Sequence, residues 1–216
     1  MPNHVINIVT IRGNDVEKVI DSLKGIDTDT GNEQEVDFNT VIPMPEELNV
    51  SSGSNEYKAK EVISGIPYEL AKTIEGREKF LKDNFDRLLG IDADCEIYLR
   101  NYIKHGFTSW YDWSCSCWGT KWNAYEICVE KEEGRITFNT AWSSPDPIFE
   151  ALSKKFPDNI FHICFADEDI GSNCGSYVLQ DGIESEQYFP DGEEATIFAC
   201  DLWGYDANDY LEEETS

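Results

Sequence analysis

The 216-residue sequence predicts an α+β fold with a helical insertion in the middle of the chain. Three observations carry that expectation. His4–Arg12 reads HVINIVTIR, an apolar–polar alternation with the period of a strand that buries one face. Apolar residues at helical spacing follow it. Further on, two pairs of strand-like runs are separated by short turns.

In chain order, Gly13-Asn14-Asp15 supplies a turn and an N-cap, and Val16, Val19, Ile20 and Leu23 recur at helical spacing until Gly25. Residues 26–35 are polar and loop-like. Residues 36–42 read as a second strand, stopped by Pro43 and Pro45. A polar connection around Ser51-Ser52-Gly53-Ser54 leads into the insertion, residues 51–106. There Phe80, Leu81, Phe85, Leu88 and Leu89 share one helical face, and Ile97, Tyr102 and Ile103 mark another helix. Trp110, Tyr111 and Trp113 are expected in a loop ahead of a strand over 121–129. A second strand, 135–142, pairs with it across Glu132-Glu133-Gly134. Pro145 and Pro147 open a helix over 148–156. Residues 159–166 read as a strand, and 176–180 with 184–189 as a hairpin about Asp181-Gly182. Beyond Asp191 the spacing allows a docked helix or a frayed tail. The predicted organisation is one α+β domain, 1–50 with 107–190, the insertion, and an acidic C-terminal segment, 191–216.

Charge is the outstanding feature of the composition. Forty-three acids against 17 bases leave a net charge of -26. Residues 1–108 carry 20 acids and 12 bases, whereas residues 109–216 carry 23 acids and 5 bases. After Lys155 no lysine or arginine follows, but 16 acids do. A basic patch that could track phosphates is therefore missing there, which disfavours direct nucleic-acid binding and docking on anionic membranes. A basic protein surface would be attracted. The N-terminus shows no basic region followed by an apolar core, and no run approaches the length of a membrane span. The seven scattered cysteines read as reduced thiols, so a cytoplasmic location is expected.

Three stretches, Val41-Ile42-Pro43-Met44-Pro45-Glu46-Glu47-Leu48, Trp118-Gly119-Thr120-Lys121-Trp122-Asn123-Ala124 and Phe138-Asn139-Thr140-Ala141-Trp142-Ser143-Ser144-Pro145, occur in that order. Together with Met1-Pro2-Asn3-His4 and Phe161-His162-Ile163-Cys164-Phe165, they resemble the Api-type, YubB-like proteins of phages and conjugative plasmids. The resemblance touches both ends of residues 1–190 and skips the helical middle. It implies a ferredoxin-like split sheet with helices on one face and an origin on a mobile element. It brings no catalytic residues.

Candidate chemistry is sparse. Trp118 and Trp122, four apart in an expected strand, read mainly as core. Trp110, Tyr111 and Trp113 are candidate partner contacts. Cys115, Cys117, Cys128, His162, Cys164 and Cys174 offer metal donors without the paired spacing of a zinc site. Asp167-Glu168-Asp169 with Gly171 and Asn173 lacks the register and closing glutamate of a calcium loop. His162 and Cys164 share a strand face, but neighbours of that kind are common core pairs. No catalytic residue, metal or cofactor is predicted.

The acids Asp181, Glu184, Glu186, Asp191, Glu193, Glu194, Asp206 and Asp209 are the main candidate contacts. Solubility alone does not require losing every base after Lys155. The expectation is a non-enzymatic interaction protein whose acidic surface, imitating a phosphate backbone, inhibits a basic nucleic-acid-handling host or defence protein. An enzyme or ligand binder using a cleft between sheet and insertion, and a homo-oligomeric component, are the alternatives.

Overall fold

The computed structural model describes residues 3–26, 31–84 and 93–211. Phe85, Leu88, Leu89 and Glu212 to Glu214 lie outside the described residues. In order, the elements are β1 (His4–Arg12), α1 (Val16–Asp21), β2 (Gly25–Ile26), β3 (Glu33–Gln34), α2 (Ser54–Ile63), α3 (Tyr68–Ala71), α4 (Ile74–Asp83), α5 (Glu96–His105), α6 (Trp110–Cys117), β4 (Tyr125–Glu130), β5 (Arg135–Ala141), α7 (Asp146–Lys155), β6 (Ile160–Asp167), β7 (Cys174–Gln180), β8 (Ile183–Tyr188), α8 (Gly192–Trp203) and α9 (Ala207–Leu211). The chain divides into two compact units, Met1–Pro43 with Cys117–Ser216, and Met44–Ser116.

The first unit is built on a six-stranded sheet of order β4-β5-β1-β6-β7-β8, antiparallel throughout. The path β1-α1-β4-β5-α7-β6, with β1 between β5 and β6, is the split β-α-β-β-α-β arrangement of a ferredoxin-like α+β fold. β7 and β8 extend it at the β6 edge. Strand alternation decides what lies on each face. Val5, Asn7, Val9 and Ile11 of β1 are all buried. Val9 pairs with Ile136 and Ile163, so these three share a face. With Leu23, Val36, Phe38, Phe138, Ile148, Phe149 and Leu152 they form the core beneath α1 and α7, where a small void is lined by apolar side chains. Ile6 and Ala166 point the other way. There Ala195 and Ala199 of α8 pack on Ala166 and Cys174, and Ile6 and Trp203 join them. Residues 192–203, which the sequence left open between helix and tail, thus form a docked helix.

The second unit packs α2, α4 and α5 through Ala59, Val62, Phe80, Leu81, Tyr98 and Leu99. It reaches beyond residues 51–106 at both ends because polar ties hold the flanks. The Asn101 amide donates to the carbonyls of Glu47 and Thr108 at 2.8 and 3.2 Å, and the Tyr98 hydroxyl to Ser51 O at 2.7 Å.

Local departures from the expected elements have identifiable causes. Residues 36–42 are not a strand but a 3-10 turn, Phe38–Thr40. The Asp37 carboxylate accepts from the Asn39 N–H at 2.9 Å and from the Asn123 amide at 2.8 Å, so side chains capture backbone that a ladder would use. The strand expected from 121 starts only at Tyr125, because Asn123 Oδ1 takes the N–H groups of Phe38 and Ala124. Trp110, Tyr111 and Trp113 lie in helix α6 rather than a loop.

Candidate functional site

The acids singled out from sequence fall on three consecutive pieces of the first unit. Asp181 and Gly182, at φ of +50° and +72°, form the tight turn between β7 and β8. The Gly182 N–H is held by Ser153 Oγ at 3.0 Å, which ties this turn to α7. β8 is the sheet's outer strand and is exposed along its whole length. Glu184 pairs with Leu179, on the α7 side, and accepts from Gln187 Nε2 at 2.8 Å. Glu186 sits at φ +51° where the register shifts, a bulge that interrupts the edge ladder.

α8 begins with Asp191 at the N-cap position and Glu193 and Glu194 in its first turn. Carboxylates there are favoured by the helix dipole, so these three acids also help the helix start. The Tyr188 hydroxyl donates to Glu194 at 3.3 Å. The opposite end of α8 is different. Asp201 lies in the last turn, which holds no basic residue and where the dipole favours cations. Gly204, at φ +73°, ends the helix. Asp206 accepts from the Asn208 N–H at 3.0 Å ahead of α9, and Asp209 follows within it. Burial pushes the Cys200 thiol up, and the charges of Asp201, Asp206 and Asp209 push it further, so all three carboxylates act on one sulfur. Ion pairs among the described residues join bases to acids in the stretch up to Glu150, which pairs with Lys154. No lysine or arginine follows Lys155, so the carboxylates of β8, α8 and α9 have no basic neighbour along their own stretch of chain.

Other candidates are dispersed. Trp110 and Tyr111 are half-buried and Trp113 is buried, all in the second unit, so Trp113 offers no contact surface. Trp118 is buried, donating its indole N–H to Ile42 O at 2.9 Å, but Trp122 is 38% exposed rather than core. The seven cysteines are free thiols. His162 and Cys164 share a face of β6, and burial pushes the Cys164 thiol up, the wrong direction for a nucleophile. The Asp167 carboxylate is occupied by the Asn3 and Asn173 amides and the Asp169 N–H. Among the described residues, no group of three or more His, Cys, Asp or Glu side chains could hold a metal ion, and no helix is long and apolar enough to cross a membrane.

Two aromatic arrangements escaped the sequence reading. Lys121 Nζ lies 4.8 Å from the ring centroids of both Trp122 and Trp142, with Trp142 42% exposed and held at φ +74°. At the C-terminal end, Trp203 stacks on Tyr205 and Tyr205 on Tyr210, with centroids 6.1 and 6.0 Å apart. Trp203 ends α8 and Tyr205 follows it, so neither ring pair has helical spacing, and the turn at Gly204 brings the rings together.

The fold and surface define a ferredoxin-like α+β protein with an acidic C-terminal elaboration. Residues 117–214 match the model of a family described as a ferredoxin-like domain in Api92-like protein. That match spans β4 to α9, while the central strand β1 and helix α1 come from outside it. The chain is also similar to the crystal structure of a protein api92 from Yersinia pseudotuberculosis, at a TM-score of 0.45 and 11% identity, covering 89% of this chain and 100% of that one. No curated protein matches the sequence.

Proposed function

We propose that this protein is a non-enzymatic interaction protein of a phage or plasmid, acting in the host cytoplasm. Its acidic surface on β8, α8 and α9 occupies the basic groove of a nucleic-acid-handling host or defence protein, where its carboxylates stand in for phosphates. The observation that carries this reading is the run of carboxylates on β8, α8 and α9 in a stretch with no lysine or arginine, including Asp201 at the unfavourable end of α8. Concentrating like charge costs stability, and a basic partner would recover that cost on binding. The long-range field would speed the encounter and make it salt-sensitive.

A tagged chain retrieved from host lysate at low and high salt tests this. One dominant basic partner, released at high salt, is the expected result. Charge reversal by Glu184→Lys, Glu186→Lys and Asp209→Lys should weaken capture, as should Asp191→Lys, Glu193→Lys and Glu194→Lys. The first set leaves the start of α8 intact, which separates lost binding from lost helix. Undiminished capture by both sets would sink the proposal.

A further inference from the structure

We infer that the outer edge of β8 accepts an extended strand of the basic partner, one that alternates arginine or lysine with apolar residues. This rests on the reading just given and adds the way in which the partner is held.

The fold builds this edge and leaves it open. β8 is last in the strand order, and all six of its residues are exposed. Asp181 and Gly182 both have positive φ, the two-residue turn in which the flanking Gln180 and Ile183 exchange both backbone bonds. Glu184 is the next residue and pairs with Leu179 in the alternate manner, so its N–H and C=O point away from β7. Among the described residues, no backbone hydrogen bond outside the β7 ladder engages residues 183–188. Ser153 Oγ holds the Gly182 N–H at 3.0 Å, which fixes the start of the edge against α7. The bulge at Glu186 ends its regular part, so strand addition is confined to the residues around Glu184.

Side chains select the occupant. Glu184 lies on the α7 side of the sheet, and Ile183, 70% exposed, lies on the other. A strand added here sets one residue opposite Glu184 and its two neighbours on the face of Ile183. Opposite charges across such a pair are favourable and like charges are not. A second copy of β8 paired antiparallel about Glu184 would bring glutamate against glutamate, so the edge does not select this chain as its own partner. A lysine or arginine opposite Glu184 is matched in charge, and apolar residues on either side of it cover Ile183. Main-chain bonds then hold the strand, while the alternating side chains give the specificity.

Amide exchange of the full chain, followed by NMR without and with the amidated peptide Val-Arg-Val-Arg-Val-Arg-Val-Arg, tests this. The Glu184 N–H should exchange roughly tenfold more slowly with the peptide bound, while the Ile183 and Ser185 N–H, already in the ladder, change little. The same peptide with every valine in the D configuration keeps charge and composition but cannot extend along the edge as a strand. It should leave Glu184 unprotected. Glu184→Pro removes the outward N–H at an edge position that tolerates proline. It should bind the all-L peptide roughly fivefold more weakly than Glu184→Gln does, the scale of one hydrogen bond. The exchange measurement uses the unaltered chain, so it decides the matter even if proline disturbs the strand. Equal binding of the two peptides without protection of Glu184 would overturn the edge-pairing inference and leave the acidic-surface reading standing. Failure of both peptides to bind at low salt would overturn the two together.

Discussion

The Ser109 hydroxyl donates to the buried carboxylate of Glu56 at 2.6 Å, across 53 residues of chain. Thr108 donates to the same oxygen at 2.6 Å, Ser52 donates to the other, and Lys60 approaches within 3.2 Å while also pairing with Asp112 at 2.6 Å. This one carboxylate ties α2 to the segment between α5 and α6. Glu56→Ala would leave two buried hydroxyls without an acceptor and remove a partner of Lys60. The expected loss is about 3 kcal/mol from the helical unit. Urea unfolding followed by circular dichroism measures it, and a loss below about 1 kcal/mol would contradict the assignment.

The same group makes stability depend on pH. Burial opposes the charged form of Glu56, but hydrogen bonds from Ser109, Ser52 and Thr108, with the charge of Lys60, outweigh it and hold the carboxyl below its ordinary range. As pH falls, the unfolded chain therefore takes up this proton first. The contribution is whole above the unfolded value of about 4.3 and is lost as pH falls through the lower folded value. The wild type should lose stability more steeply than Glu56→Gln across that acid window. Parallel pH profiles for the two proteins would refute the coupling.

Trp142 follows β5 at φ +74°, with its N–H donating to Asn3 O at 3.0 Å and its carbonyl accepting from Asn173 at 3.1 Å. Both bonds hold an L-residue where its Cβ is crowded. Trp142→Gly should therefore be more stable than Trp142→Ala by about 1 kcal/mol, reversing the usual order of these residues. Thermal melts of the two variants decide it, and alanine proving the more stable would reject the strained geometry.

Thiol reactivity should follow burial. Cys128 is exposed, while Cys95 and Cys200 are wholly buried and burial raises the Cys200 thiol further from its reactive form. Timed iodoacetamide labelling read by mass spectrometry should modify Cys128 first, and Cys95 and Cys200 only after denaturation. Early labelling of Cys200 would place α8 away from the sheet.

Much of the sheet was legible because its strands keep strict alternation and its turns carry their own chemistry. β1 was readable from HVINIVTIR, and the β7–β8 turn from Asp181-Gly182, since both signals are local. Where long-range groups intervene, the reading failed. Asn123 reaches Asp37 and Phe38 from 85 residues or more away, and it turns an expected strand into a 3-10 turn. Trp110 to Trp113 read as a loop because aromatic spacing says little about whether a short helix will form.

The sequence by itself determined the charge asymmetry, the absence of any lysine or arginine after Lys155, and the α+β class, because composition and short periods are properties of neighbours along the chain. Only the tertiary structure decided that α8 is docked on the sheet face opposite α7, that Trp113 is buried while Trp122 is exposed, and that Trp203 stacks with Tyr205 and Tyr210 across Gly204. Those outcomes depend on which distant residues meet. Alanines 195 and 199 lie flat against Ala166 because nothing larger intervenes, and no local pattern encodes that fit.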